Sequence, residues 1–172
     1  MPKRLHRLTS ALGLITCLVI ILGGNPVAAR DALQSFSLAV RAGDIAFIRQ
    51  MPELGLSPQT RDSLKNNLLM LAIRDDGESF ALALLNLPAW QQKSVLDHEN
   101  QLGETALMIA AIKGAGRAAD RLIGLGAEVN RSGWTALHYA ATEDRTDLIA
   151  LLTERSAYVD SPSPNGTTPL MM

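Results

Sequence analysis

The sequence predicts an all-α fold in which helix–turn–helix units stack into a solenoid. Three segments that begin at Gly103, Gly133 and Gly166 share one pattern, reading GETALMIAA, GWTALHYAA and GTTPLMM. Their Ala- and Leu-rich runs lack the β-branched alternation of strands and favour helix. Such evenly spaced units occur in stacks, because one helix pair can bury its apolar face only against neighbouring pairs.

Residues 1–29 have the order of a secretory signal peptide. Basic residues come first, an uncharged apolar stretch follows, and small residues precede a cleavage point (Lys3, Arg4 and Arg7; residues 8–22; residues 27–29). We expect cleavage near Ala29, which would leave residues 30–172 as a periplasmic or secreted protein without its single cysteine, Cys17. An uncleaved membrane anchor is the alternative, although a spanning helix usually needs about 20 apolar residues.

The composition gives no reason to expect a nucleic acid or an anionic membrane surface as partner. The formal charge of the chain is −1, and it becomes −4 once residues 1–29 and their three basic side chains are removed. Aromatic residues make up only 4% of a chain that is 47% hydrophobic. The core is therefore expected to be aliphatic.

The first two repeats are assigned to residues 30–61 and 62–99. Residues 38–55 (LAVRAGDIAFIRQMPELG) have the pattern of a second half-repeat, and residues 62–76 (DSLKNNLLMLAIRDD) open the next unit. The spacing between the second and third repeats exceeds the spacing between the first and second. The difference implies five extra residues in the second repeat. The segment PAWQQKSVLDH is the expected place for them.

The third and fourth repeats, residues 100–130 and 131–162, show the pattern most clearly, and residues 163–172 begin a fifth. Thr105 and Thr135 precede the apolar runs, where a Thr hydroxyl can cap free N–H groups of the first helical turn. Gly114 follows the first run, as a left-handed helix end favours. A second apolar run at helical spacing completes each pair.

The recurring elements together resemble the ankyrin repeat, with its G-x-T-P-L-H-x-A-A opening and its G-A-d-V-n close. The closing element reads GAEVN at residues 126–130 and SAYVD at residues 156–160. The resemblance covers the chain after the leader, most strongly from Asn100 onward. It implies an α-solenoid with short hairpin loops that form one edge of a concave, partner-binding face.

Several positions depart from the ankyrin pattern. Only two residues lie between Asn130 and Gly133 where five are usual, so the hairpin finger there should be stunted. Asp144 and Ser156 replace glycines, which predicts either left-handed strain or a locally altered turn in the fourth unit. The histidine of the motif occurs once, as His138, so the Thr–His hydrogen bonding associated with the motif can form only once.

Three groups of residues carry possible chemistry. Gly114, Gly116 and Ala119 fit a dinucleotide fingerprint, but such a site needs a strand on each side and an acidic residue about 20 positions on. The Asp97–Glu99 run (DHE) has no metal-ligand spacing and is interpreted as a solvated loop, and the Asp75–Glu78 run (DDGE) as a turn between helices. The sequence predicts no catalytic residue, cofactor or metal.

The resemblance places partner contacts after the repeat glycine, in the shortened loop and at the ends of first helices. The candidates are Glu104, Trp134, Arg131, Lys113, Thr142, Glu143, Arg74 and Asp75. Trp134 is the principal candidate, because an exposed Trp is typical of binding hot spots. The alternative is that it packs over the shortened turn. Trp90 is a second candidate, with packing between repeats as its alternative.

The resemblance implies a non-catalytic protein–protein interaction scaffold or adaptor, and the leader places it in the bacterial cell envelope. The alternative is a regulator, inhibitor or protective subunit of a specific periplasmic enzyme. Another protein is the expected partner, with the membrane involved only through an uncleaved signal segment. We expect a monomer that is not an enzyme.

Overall fold

A computed structural model describes residues 26–172, so residues 1–25 of the predicted leader lie outside the described part. That part contains eight α-helices and three 3-10 turns. The helices are α1 (Pro26–Ala42), α2 (Leu68–Arg74), α3 (Glu78–Leu85), α4 (Lys93–Leu96), α5 (Ala106–Lys113), α6 (Gly116–Gly124), α7 (Ala136–Thr142) and α8 (Thr146–Glu154). The 3-10 turns are Ile45–Arg49, Pro88–Trp90 and Pro169–Met171.

The elements form two layers, and the predicted all-α solenoid is confirmed. The inner layer runs from α1 through α2 and α5 to α7, and the turn Pro169–Met171 lies against α7. The outer layer contains the turn Ile45–Arg49 followed by α3, α6 and α8. Residues 26–172 contain no strand beyond an isolated antiparallel bridge between Arg61 and Asn67.

Each inner helix of the central units begins at a side-chain cap. The hydroxyl of Thr105 accepts from the Met108 N–H at 3.4 Å, and that of Thr135 accepts from the His138 N–H at 3.5 Å. Asn67 has the same function in α2, where its side-chain oxygen accepts from the Met70 N–H at 2.8 Å. These bonds satisfy N–H groups that the helix itself leaves free.

Small side chains let the helices pack closely. Ala106, Ala110 and Ala140 are at most 2% exposed and lie between α5 and its neighbours. At the start of α3, a Cβ on Gly77 would lie 2.3 Å from a methyl carbon of Val40. Glycine is therefore required there for α1 to pack against the second unit.

The extra residues of the second unit form added structure between α3 and the third hairpin. The turn Pro88–Trp90 and the short helix α4 occupy this segment, and Val95 and Leu96 of α4 are fully buried. Trp90 is 4% exposed, so it packs between units. Its prediction as a surface binding residue is wrong, and the packing alternative is confirmed.

The helix α1 begins at Pro26, so residues 26–29 of the predicted leader form its first turn. Val27, Ala28 and Ala29 are exposed, and the first buried side chain among residues 27–42 is Ala32. Within residues 26–172, none of the helices has both the length and the apolar character needed to cross a membrane.

The predicted left-handed positions of the fourth unit are confirmed. Asp144 has a φ of +53° and Ser156 a φ of +63°, where the third unit has Gly114 at +71° and Gly126 at +91°. A residue with a Cβ is disfavoured in this conformation by about 1–2 kcal/mol. The fourth unit therefore contains two strained turns that the third lacks.

Replacing Ser156 by glycine is expected to stabilise the protein. Relief of left-handed strain outweighs the greater freedom of glycine in the unfolded chain, for a net gain of about 0.5–1 kcal/mol. The matched control is Ala150→Gly inside α8, which should lose about 1 kcal/mol. Urea unfolding followed by circular dichroism measures both changes. Equal losses in the two variants would contradict the strain at Ser156.

Candidate partner-binding face

The predicted contact residues occupy two kinds of position in the structure. Five lie at or just after the C-terminal ends of inner helices, and three lie in the hairpins ahead of those helices. The helix-end residues are Arg74, Asp75, Lys113, Thr142 and Glu143, and the hairpin residues are Glu104, Arg131 and Trp134. We call the surface that they form the inner rim.

Most charged residues of the inner rim are paired with a neighbouring repeat. Arg74 contacts Glu104 at 3.3 Å, and Lys113 contacts Asp76 at 2.7 Å. Asp75 lies 3.6 Å from the Arg41 guanidinium and accepts a hydrogen bond from the Ser37 hydroxyl, while Arg131 is paired with Glu99. Because these charges already have partners across the repeat boundaries, their first function is to align successive units.

A buried amide network lies behind the Arg74–Glu104 pair, and sequence reasoning missed it. The side-chain nitrogen of Asn100 donates to Asn66 at 2.9 Å and to the Glu104 carboxylate at 2.6 Å. Its oxygen accepts from the N–H groups of Leu102 and Glu104 at 2.9 and 3.0 Å. Asn100 thus closes its own hairpin and joins it to the preceding one.

Removal of the Asn100 amide should therefore destabilise the stack. Four hydrogen bonds are lost in Asn100→Ala, each with a net value of about 0.5–1.5 kcal/mol, so we expect a loss of about 2–4 kcal/mol. Asn86→Ala is the control, since Asn86 is exposed at the end of α3 and should change stability by less than about 0.5 kcal/mol. Urea denaturation measures the free energy of unfolding of both variants. Similar small losses of stability in the two would contradict a stabilising role for the network.

Trp134 is half-buried and packs on the helix that follows it. Its ring centroid lies 5.3 Å from that of His138 in an edge-to-face contact, and 6.2 Å from that of Tyr139. The sequence predicted either an exposed side chain or packing over the preceding turn, and the structure instead places it against α7. One part of the ring system stays accessible, as in amphipathic recognition sites.

Tyr139 is the second aromatic residue of this surface, and sequence reasoning did not select it. It occupies the position that Leu71 and Ile109 hold in the preceding inner helices. Its position in the repeat could therefore have identified it as a residue of the inner layer. Burial raises the pKa of its phenol above the ordinary value, and the negative charge of Glu104 adds to the effect. The phenol is therefore neutral at physiological pH.

Thr142 and Glu143 complete the inner rim after Tyr139. The Thr142 hydroxyl donates to the His138 carbonyl at 2.9 Å and lies 3.2 Å from the Met172 sulfur. Glu143 is exposed, and its carboxylate has no ion-pair or hydrogen-bond partner within residues 26–172. Of the eight predicted residues, Glu143 has the side chain most available to a partner.

His138 is a structural residue in this geometry. Its Nδ1 accepts from the Thr135 N–H at 3.1 Å and lies 2.9 Å from the Thr135 hydroxyl oxygen, which confirms the single Thr–His arrangement. The Nε2–H then donates to the Thr167 carbonyl at 3.2 Å and ties the next hairpin to α7. The ring is completely buried, so the side chain has no contact with a possible substrate.

The Asp97–Glu99 run is a partly exposed loop, as predicted, but its side chains are bonded to other parts of the stack. Asp97 accepts from the Glu128 N–H at 2.8 Å, the His98 ring bonds to the Lys65 carbonyl at 2.7 Å, and Glu99 pairs with Arg131. No group of three or more His, Cys, Asp or Glu side chains in the described part is arranged to hold a metal.

Asn130 shows that the third finger is shortened, as predicted. Its side-chain oxygen accepts from the Tyr158 N–H at 2.8 Å, which is the bond that Asp97 makes to Glu128 one unit earlier. Asp97 precedes its hairpin glycine by six positions and Asn130 by only three. The contact to the next unit is kept, and the missing residues shorten the finger.

The apparent dinucleotide fingerprint is a helix–turn–helix connection. Gly114 ends α5 in the left-handed conformation, and Gly116 begins α6. The Ala118 N–H, which would face a phosphate in a nucleotide site, donates to the Glu78 carboxylate at 3.0 Å. This first turn is therefore capped by an acidic side chain from the preceding unit, which disfavours an anionic ligand there.

The fold and the inner rim define a class of protein: a stacked helix–turn–helix repeat protein with a recognition surface along one side. Residues 69–163, more than half of the chain, match the family Ankyrin repeats (3 copies). The chain therefore belongs to the ankyrin-repeat family, which confirms the resemblance seen in the sequence. Membership of this family implies a protein–protein interaction role for the chain.

The chain is similar to part of two larger proteins. It is 38% identical over 114 residues to the nuclear factor NF-kappa-B p105 subunit of Mus musculus, which covers 63% of this chain and 12% of that protein. It is 32% identical over 138 residues to the p105 subunit of Gallus gallus, which covers 77% of this chain and 14% of that protein. The likeness is thus confined to a small part of these relatives.

Proposed function

We propose that this chain is a non-catalytic scaffold or adaptor that acts in the bacterial cell envelope and binds another protein through its inner rim. The observation that carries this proposal is the half-buried Trp134–Tyr139 pair on the inner layer of an ankyrin stack. Large aromatic side chains dominate the binding energy of many protein interfaces. The pair lies next to Glu143, the freest charged side chain of the rim.

The distribution of aromatic residues supports this assignment. The seven aromatic side chains all lie within residues 26–172, and four of them are buried (Phe36, Phe47, Phe80 and Trp90). Tyr158 is exposed away from the inner layer, between α8 and the last hairpin. Trp134 and Tyr139 are the partly exposed aromatic pair that remains, and they lie together.

The partner-binding role of Trp134 can be tested by affinity capture. The tagged mature chain should retain one or more proteins from an envelope extract, and Trp134→Ala should reduce their recovery at least about tenfold, as loss of a hot spot does. Tyr158→Ala is the matched control, because it removes an exposed aromatic side chain outside the inner rim.

Unchanged capture by Trp134→Ala would exclude the role given to this residue. The identity of the captured proteins separates the two functions that the sequence allows. Recovery of several proteins supports a scaffold, whereas one enzyme recovered in stoichiometric amount supports the regulator or inhibitor. Mass spectrometry of the eluate provides this readout.

Export is the second part of the proposal. It is supported by the basic start, the apolar stretch over residues 8–22 and the small residues 27–29. Residues 27–29 are exposed, and the buried side chains among residues 27–42 all come after Ala29. Cleavage at this point would leave the core of the stack intact.

Cleavage is tested by expressing the full chain in a bacterial host and measuring intact mass in the periplasmic fraction. We expect a product that begins at Arg30. Ala29→Lys should block processing, because the position before the cut accepts only small residues, whereas Ala28→Lys should be processed normally. A wild-type product that keeps residues 1–29 would support the membrane-anchor alternative.

A further inference from the structure

The unpaired charge of the inner rim is negative. Its cations are all in ion pairs, as is Arg41 beside them (Arg74, Lys113 and Arg131). Glu143 and Asp144 are exposed and have no partner in residues 26–172. Arg145 follows them, but its guanidinium donates to the Ile112 carbonyl at 3.1 Å.

The free carboxylate of Glu143 lies beside the aromatic pair. Glu143 follows Tyr139 by four positions, and its N–H donates to the Tyr139 carbonyl at 3.0 Å, so the two side chains lie one helical turn apart. The Trp134 and Tyr139 rings are inclined by 39° at 6.2 Å between centroids. The two rings lie side by side, and the free carboxylate belongs to the residue one helical turn after Tyr139; we call Trp134, Tyr139 and Glu143 the aromatic–acidic patch.

We propose that the aromatic–acidic patch binds an arginine or lysine side chain from a basic segment of the protein partner. The inference rests on the proposed function and specifies the class of partner. A cation over a Trp or Tyr face is attracted by the ring quadrupole, and Glu143 adds a direct counter-charge. An acidic segment would meet an unpaired carboxylate at this point and would be rejected.

The charge of the whole described part favours the same kind of partner. Residues 26–172 contain 13 of the 16 basic side chains and all 17 acidic ones, a formal charge of −4. The field of an acidic protein accelerates the approach of a basic segment. Arg41, Arg74 and Lys113 are held in ion pairs and offer little compensation at the patch, whereas the Arg145 guanidinium is held at the Ile112 carbonyl of the third unit.

Nuclear magnetic resonance provides a direct test on the mature chain. The probe is the peptide acetyl-Arg-Leu-Arg-amide, compared with an analogue in which neutral citrulline replaces both arginines. We expect the arginine peptide to shift the indole N–H signal of Trp134 and the citrulline peptide to shift it much less. Trp90, buried elsewhere in the stack, supplies an internal reference that should not move.

Two variants test whether the change in the Trp134 indole N–H signal depends on the aromatic–acidic patch. Glu143→Gln should weaken binding of the arginine peptide about two- to fivefold, the range for one exposed ion pair, and the effect should shrink at high salt. Glu154→Gln, which removes an exposed carboxylate at the end of α8, should leave binding unchanged.

Equal shifts from both peptides would overturn the inference while leaving a binding role for Trp134 in place. Absence of any Trp134 shift, or full binding by Glu143→Gln, would also overturn it. The affinity capture with Trp134→Ala then decides the proposed function separately, since that experiment does not depend on the charge of the partner.

Discussion

The structure depends on the inability of one helix pair to bury its apolar surface alone. The helix α5 packs against α2 on one side and α7 on the other, and six of its eight residues are at most 2% exposed. Most of that burial is provided by neighbouring units, so stability is shared along the array. Alanine is required at the helix contacts because larger side chains would separate the layers. An aliphatic core with few aromatic residues follows directly from this packing.

Polar contacts then fix the register between units. Asp97 and Asn130 bond to the same backbone position of the following unit, although the finger after Asn130 is three residues shorter. Asn100 links two hairpins through four hydrogen bonds, and ion pairs such as Arg74–Glu104 cross the same boundary. Exposed ion pairs contribute little to stability individually, so their main effect is alignment. The charged side chains in these ion pairs are therefore less available to a binding partner.

The sequence predicts those features that depend on local chemistry. The Thr105 and Thr135 caps, the left-handed Asp144 and Ser156, and the shortened finger all follow from residue types at fixed positions in the repeat. The errors and omissions concern side chains whose partners lie about one repeat away. Glu99 reaches Arg131, His98 reaches Lys65, and Trp90 is buried beside Ile48 and Met51 of the first unit. The regular spacing of the motifs identifies each repeat in the sequence. The contacts between repeats depend instead on how two non-identical surfaces fit together.

The position of the aromatic–acidic patch couples binding to the stability of one unit. The patch lies on α7 of the fourth unit, which contains both strained turns at Asp144 and Ser156. That unit packs on the third through α5 and α6, and the turn Pro169–Met171 lies against α7 on its other side. Strained turns lower the free energy needed to open a unit locally, in the fourth unit as in the second, which has Lys65 and Asp76 at positive φ. A partner that binds only the folded patch lowers the free energy of the folded unit in proportion to its occupancy. Binding at this site, as proposed, would therefore stabilise a unit that contains two strained turns.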